Sequence, residues 1–206
     1  MEGQRPQEEF HGRDALENCV LACAAAIIYY ALARIGLQFE LGPLGASLLW
    51  PAAGFALAAV LLWGPSAASG VFLGAWLAYE RPLLADGGAT LATVLAASAL
   101  AALGSAAQAL LGAALLRRFG SPQDAARSAR EAAVFCALVP VIGLISPIFQ
   151  LLALMPSGIL AGRHWAQAGF TWWIGEAVGM LTVTPLILVW AGPGTRLALP
   201  TMPRAA

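Results

Sequence analysis

The stretch ATLATVLAASALAALGSAAQALLGAALL, residues 89–116, carries no charged side chain from end to end. An α-helix crosses a hydrocarbon core of ~30 Å in about 20 apolar residues, so this stretch is long enough to span a bilayer and to tilt or bend within it. Its hydrophobicity is continuous, without the apolar–polar alternation of a barrel strand. Five further apolar stretches flank it, at residues 15–37, 46–63, 67–79, 132–155 and 170–190. The second ends in the turn signal Gly64-Pro65-Ser66, and the third is the shortest. Together they predict an all-α, polytopic transmembrane helical bundle of about six spans. The polar residues 121–131 have helical composition and are expected at the membrane surface.

The composition agrees. Of 206 residues, 60 % are apolar and 11 % are charged, against roughly 25 % charged in a soluble domain. So few charges cannot cover a soluble core, which argues against a globular enzyme. The 11 basic residues, all arginine, balance 11 acids; no basic stripe exists for nucleic acid. Cys19, Cys23 and Cys136 fall in apolar runs and read as small buried hydrophobes, neither a disulfide framework nor a metal site. No cofactor is implied.

Residues 1–14 are polar, start acidic and read as an unstructured tail, not a secretory signal. With six crossings, Arg5, Arg13, Arg117, Arg118, Arg127, Arg130, Arg196 and Arg204 share one side, and Arg34, Arg81 and Arg163 the other. That asymmetry places both termini in the cytoplasm. The expected organisation is a cytoplasmic tail (1–14), a membrane domain (15–190) and a second cytoplasmic tail (191–206), too short for a catalytic domain.

Two clusters carry the chemistry. Trp50-Pro51-Ala52-Ala53-Gly54 reads as an interfacial tryptophan followed by a proline in a first helical turn. Phe170-Thr171-Trp172-Trp173-Ile174-Gly175-Glu176-Ala177-Val178-Gly179 places an acid one turn below two more interfacial indoles. A carboxylate within a bilayer costs a few kcal/mol unless paired, protonated or hydrated, and so faces the bundle or a cleft. Glu176 is therefore either a functional group or a structural partner of Arg34 or Arg163. Trp50, Trp172, Trp173 and Glu176 are expected in the outer leaflet with Gln150, Tyr29 and Tyr30. Trp50, Trp172, Trp173, Glu176, Gln150 and Tyr30 are the candidate ligand-binding residues. A small-ligand pocket needs such rigid walls around a few polar groups, although an aromatic belt facing lipid has the same composition.

Pro51, Gly54, Gly70, Gly74, Gly175 and Gly179 are candidate packing positions, since small residues at spacing four let helix backbones approach closely. They serve either packing within the chain or a homodimer. Pro140 and Pro147, with Gly143 between them, should bend or unwind the fifth span and free its carbonyls. Glu17 is placed to pair with Arg117 or Arg118, and His164 reads as a solvated loop residue. Ser66, Ser105 and Ser146 have no histidine at a plausible depth, so catalysis is not expected.

Taken together, the two tryptophan clusters resemble the first membrane-associated sensor domain family of bacteria. Trp50, Pro51 and Gly54, the hairpin at Gly64-Pro65 with Val71-Phe72-Leu73-Gly74, the helix ending Leu115-Leu116-Arg117-Arg118, and Trp172, Trp173, Gly175, Glu176, Gly179 and Pro185 carry the resemblance over about residues 21–190. Glu176 stands where aspartate is more usual, and that family is usually described with more crossings. The resemblance implies a multi-pass sensory domain of the bacterial inner membrane. It would detect a small ligand or a membrane state and signal to a cytoplasmic histidine kinase or diguanylate cyclase output module absent from this chain. Two other readings stand beside it. Size and span number also fit the substrate-binding subunit of a vitamin uptake transporter, docking through Ala22 and Ala26. The third is a structural dimerising anchor.

Overall fold

The computed structural model describes residues 5–39, 47–85, 89–120, 128–156 and 164–191. Among them the regular elements are helices: α1 (Arg5–Gly36), a 3-10 turn (Leu37–Phe39), α2 (Pro51–Trp63), α3 (Ala67–Ala85), α4 (Leu91–Phe119), α5 (Ala129–Ile142), α6 (Ile145–Leu154) and α7 (His164–Trp190). The chain is the expected all-α bundle. Four stretches are long and apolar enough to cross a membrane: Ala15–Phe39, Leu91–Phe119, Ala129–Leu154 and Trp165–Trp190. The 13 residues of α2 reach only about 20 Å at ~1.5 Å per residue.

Three boundaries differ from the sequence expectation for one reason. α1 begins at Arg5, inside the supposed unstructured tail; α3 runs on to Ala85; and α7 begins at His164, ahead of residue 170. Hydropathy marks where lipid begins, whereas helix propensity and backbone bonding decide where a helix ends. His164 thus opens a helix, with its side chain outside the described residues. Most of the supposed surface segment lies outside them too; its end supplies Ser128, whose hydroxyl accepts from Glu131 N and caps α5.

Small side chains allow the helices to pack closely. Gly70 and Gly74 of α3 lie against the carbonyls of Ala22 and Ala26 of α1, in parallel register. A β-carbon at either glycine would meet backbone. This glycine face is therefore spent within the chain, and so is the Ala22/Ala26 face suggested for docking. Antiparallel to α4 run α5 and α6: Gly104 faces Phe149, Gln108 faces Ser146, and Gly112 faces Ile142. The core is rich in alanine, whereas Leu73, Leu77, Leu103, Leu111, Ile148, Leu152, Leu186 and Val189 point outward. Large apolar residues outside and small ones inside suit a bundle solvated by acyl chains, where van der Waals packing holds helices together. Cys19, Cys23 and Cys136 also lie on the outer surface, contrary to the buried expectation.

α2 is the centre of the bundle. Every residue from Pro51 to Leu61 is buried, and α1, α3, α4 and α7 surround it. Gly64 ends it with φ +89° and ψ −176°, a conformation open essentially to glycine alone. The last carbonyls of α2 are capped from outside the helix. Arg117 of α4 donates Nη2 to the Val60 and Leu61 oxygens at 3.1 Å each, instead of pairing with Glu17. Arg117→Ala is expected to cost about 1 kcal/mol of stability, because a charged donor to helix-end carbonyls is lost at a half-exposed site. A thermal-unfolding midpoint in detergent checks this, with the adjacent Arg118→Ala as the control that stays near wild type.

Candidate functional site

Glu176 lies at the middle of its helix. Because α7 starts at His164, the carboxyl sits twelve residues in, about 18 Å along the axis at ~1.5 Å per residue. It is 3 % exposed, the one buried acid among the described residues. Gln108 of α4 donates Nε2 to Glu176 Oε2 at 2.6 Å. No arginine reaches it among the described residues, where the ion pair is Arg130–Glu131 at the surface. Arg34 makes no such contact, and Arg163 lies outside the described residues. The partner of Glu176 is thus an amide, that of Gln108.

The orientation of Gln108 is dictated by a break in the fifth apolar stretch. Between α5 and α6, Leu144 N turns back to Val141 O at 3.3 Å, the shorter three-residue step. Pro147 has no N–H to return to Gly143 O. Ser146, second in α6, therefore has a backbone N–H with no partner in its own helix. It donates that N–H to Gln108 Oε1 at 3.0 Å. An N–H can only donate, so Gln108 turns its carbonyl to Ser146 and its amide nitrogen to Glu176. The same break leaves the Pro140 carbonyl without a helical donor, and Trp173 supplies one through Nε1 at 2.8 Å.

From Ser146 the polar contacts continue. Gln150 donates Nε2 to Ser146 Oγ at 3.0 Å. Ser146 Oγ lies 3.4 Å from Ser105 Oγ, which is 3.0 Å from the Tyr79 hydroxyl. Tyr29 donates its hydroxyl to Ser105 Oγ at 3.2 Å and meets the Tyr79 hydroxyl at 3.2 Å. Trp50 donates Nε1 to Tyr29 at 3.5 Å, and its indole stacks on Tyr79 with ring centroids 6.1 Å apart. One connected cluster thus joins α1, the residue preceding α2, α3, α4, α6 and α7. Among the described residues no buried side-chain nitrogen or oxygen is left unpaired, as low-dielectric surroundings demand.

Trp50 is held there by glycines. The chain from Ser47 to Trp50 lies along α7, and Trp50 N donates to Gly175 O at 3.1 Å. A β-carbon at Gly175 would strike the Ser47 carbonyl, and one at Gly179 the Trp50 carbonyl. Gly54 packs on Gly179 O. Lower down, Thr184 Oγ1 donates to Gly54 O at 2.8 Å. These packing glycines lie between α7 and the segment leading into α2, with Pro51 as the first residue of α2.

Of the candidate ligand-binding residues, the cluster contains Trp50, Gln150 and Glu176. Trp173 is spent on the Pro140 carbonyl and packs against Phe170 at 5.6 Å; Trp172 is half-buried outside the cluster. Tyr30 packs on the apolar core, while its neighbour Tyr29 enters the cluster, because successive residues on a helix diverge by about 100°. Sequence reasoning passed over Gln108 and Tyr79 and considered Ser105 and Ser146 only as nucleophiles. Gln108 did carry a signal: it is the only amide in the uncharged stretch 89–116, and an amide at that depth requires a partner.

Two tryptophans, a glycine seat and a mid-helix acid recur here in the order the resemblance describes. The MASE1 family profile matches residues 21–202, taking in α2 to α7 and the second half of α1. No curated protein and no solved structure matches the chain. The match covers most of the sequence, so the chain belongs to the MASE1 family of membrane-associated sensor domains.

Proposed function

We propose that the buried cluster running from Trp50 to Glu176 is the detecting element of this membrane sensory domain. In this reading a small ligand or a change of membrane state acts from the outer half of the bilayer. α7 carries the response to a cytoplasmic histidine kinase or diguanylate cyclase output. Both termini then face the cytoplasm of a bacterial inner membrane, and the bundle binds and positions without catalysing. The observation that supports this is that six chain elements meet in one hydrogen-bonded set that includes both a helix break and the acid of α7. A stimulus shifts such an assembly only if it stabilises one arrangement over another. The break at Gly143-Leu144 is the element on which such a stimulus would act, since the flanking Pro140 carbonyl and Ser146 N–H are bonded to side chains of α7 and α4. The uptake-subunit reading lacks comparable support, because α3 covers its docking face.

Nitroxide labels at Phe119 and Trp190, both exposed at the ends of α4 and α7, test the coupling in protein whose three cysteines are replaced by alanine. In bilayers, Trp50→Phe and Glu176→Gln are expected to shift the label-to-label distance by about 1–2 Å, the scale of switching helix movements. Identical distance distributions for both variants and the parent would sink this reading.

A further inference from the structure

We propose that α2 and α7 form one rigid body that shifts as a unit against the rest of the bundle, carrying the end of α2 at Trp63 along with the end of α7 at Trp190. The proposal rests on the reading that α7 carries the response, and it adds what travels with α7.

Two kinds of contact hold the helices, and they are unevenly distributed. Where a glycine lies on a carbonyl of another segment, backbone meets backbone, and no side-chain rotation relieves or remakes the contact. Among the described residues, the glycines whose β-carbon would come within 3 Å of another segment's backbone fall into two sets. Gly70 and Gly74 seat α3 on α1, whereas Gly54, Gly175 and Gly179 seat α7 on α2 and on the chain entering it. Two hydrogen bonds reinforce the second set: Trp50 N to Gly175 O at 3.1 Å and Thr184 Oγ1 to Gly54 O at 2.8 Å. α7 cannot slide along α2 without lifting these carbonyls off their glycines. Ser47, Trp50 and Gly54 meet Gly175, Gly179 and Thr184 in that order. The two helices therefore run parallel and end on the same side of the bundle.

Contacts from this pair to its neighbours are of the other kind. Among the described residues, each hydrogen bond that leaves the pair for another helix has a side chain at one end. Trp50 Nε1 donates to Tyr29 of α1 at 3.5 Å, and Trp173 Nε1 donates to the Pro140 carbonyl of α5 at 2.8 Å. From α4, Gln108 donates to Glu176 at 2.6 Å, and Arg117 donates to the Val60 and Leu61 carbonyls. Side chains have alternative staggered rotamers, so these contacts can be remade while the seated backbones stay together. The bundle gives along this seam, and the detecting cluster lies across it. The chain itself crosses the seam at Gly64, where nothing lies within 4 Å of the β-carbon position. That junction adds no seat, and Arg117 is the polar tie on this end of α2.

Arg117 provides the test, because its hydrogen bonds among the described residues go to α2 and none goes to α7. Nitroxide pairs are placed at Ile27 with Trp63 and at Ile27 with Trp190, in bilayers and with the three cysteines replaced by alanine. Ile27 is exposed on α1, beside the residues that seat on α3. Arg117→Ala is expected to shift both distances by about 1–2 Å, although no bond to α7 has been cut. A shift at one position only, or at neither, overturns the proposal. The cluster variants separate it from the reading it rests on. If Trp50→Phe and Glu176→Gln move Trp190 while Trp63 stays, the detecting cluster stands and the single body falls. If Arg117→Ala moves both labels and the cluster variants move neither, the single body stands and the detecting role falls.

Discussion

Gly179→Ala is expected to destabilise the bundle by about 3 kcal/mol or more, a large loss for one added methyl group. Overpacking usually costs about 1–3 kcal/mol because side chains rotate or shift to make room. Here the obstacle is backbone. The new β-carbon would meet the Trp50 carbonyl, with Pro51 N at 3.5 Å behind it, and neither can rotate away. Relief requires moving the segment that places Trp50 over Tyr29 and starts α2. α2 is buried from Pro51 to Leu61, so that movement reaches four neighbouring helices. Gly169→Ala on the same helix is the control: its β-carbon would meet Leu151 Cδ1 at 3.0 Å, the end of a flexible side chain, and should cost under about 1 kcal/mol. Thermal-unfolding midpoints of the two variants in one detergent check the contrast. Equal losses would show that the Trp50 carbonyl does not lie on Gly179.

The second large effect is expected at Gln108. Gln108→Leu keeps the volume and removes both ends of the amide, leaving Glu176 Oε2 and the Ser146 N–H without the partners they have now. A buried group stripped of its partner costs about 1–3 kcal/mol, and more when it can carry charge; the sum is expected near ~4 kcal/mol. Combining Gln108→Leu with Glu176→Leu should recover part of this, since the acid is no longer left behind. The shortfall from additivity measures the Gln108–Glu176 coupling. Chemical or thermal unfolding of the two single variants and the double variant checks it. Strict additivity would mean that the 2.6 Å contact carries no energy.

Much of the architecture was legible in local pattern. Long uncharged runs mark membrane helices because an unpaired backbone cannot cross lipid. Prolines at 140 and 147 mark a break because each lacks the N–H that continues a helix. Glycines at spacing four mark close approach. The acid at 176 stands out because isolated carboxyls are expensive at that depth. Its place along the helix was not legible: α7 extends beyond its apolar part to His164, which puts Glu176 at mid-helix. Helix ends follow propensity and capping, which hydropathy does not report.

The site was only partly legible. Trp50, Gln150 and Glu176 stand out as residue types unusual in apolar runs; Tyr79 carries no such mark, and local pattern favours Tyr30 as much as Tyr29. The choice between adjacent tyrosines depends on how α1 is rotated against α3, and that rotation follows from Gly70 and Gly74 seating on the Ala22 and Ala26 carbonyls. Likewise, the partner of Glu176 is an amide 68 positions earlier in the chain. Composition, spacing and proline position act through bonds a few residues long, so they established helices, their breaks and their membrane setting. Which polar groups share the interior is set by helix rotation and register across distant segments. Those emerge only when all the small faces have packed at once and every buried donor has found its acceptor.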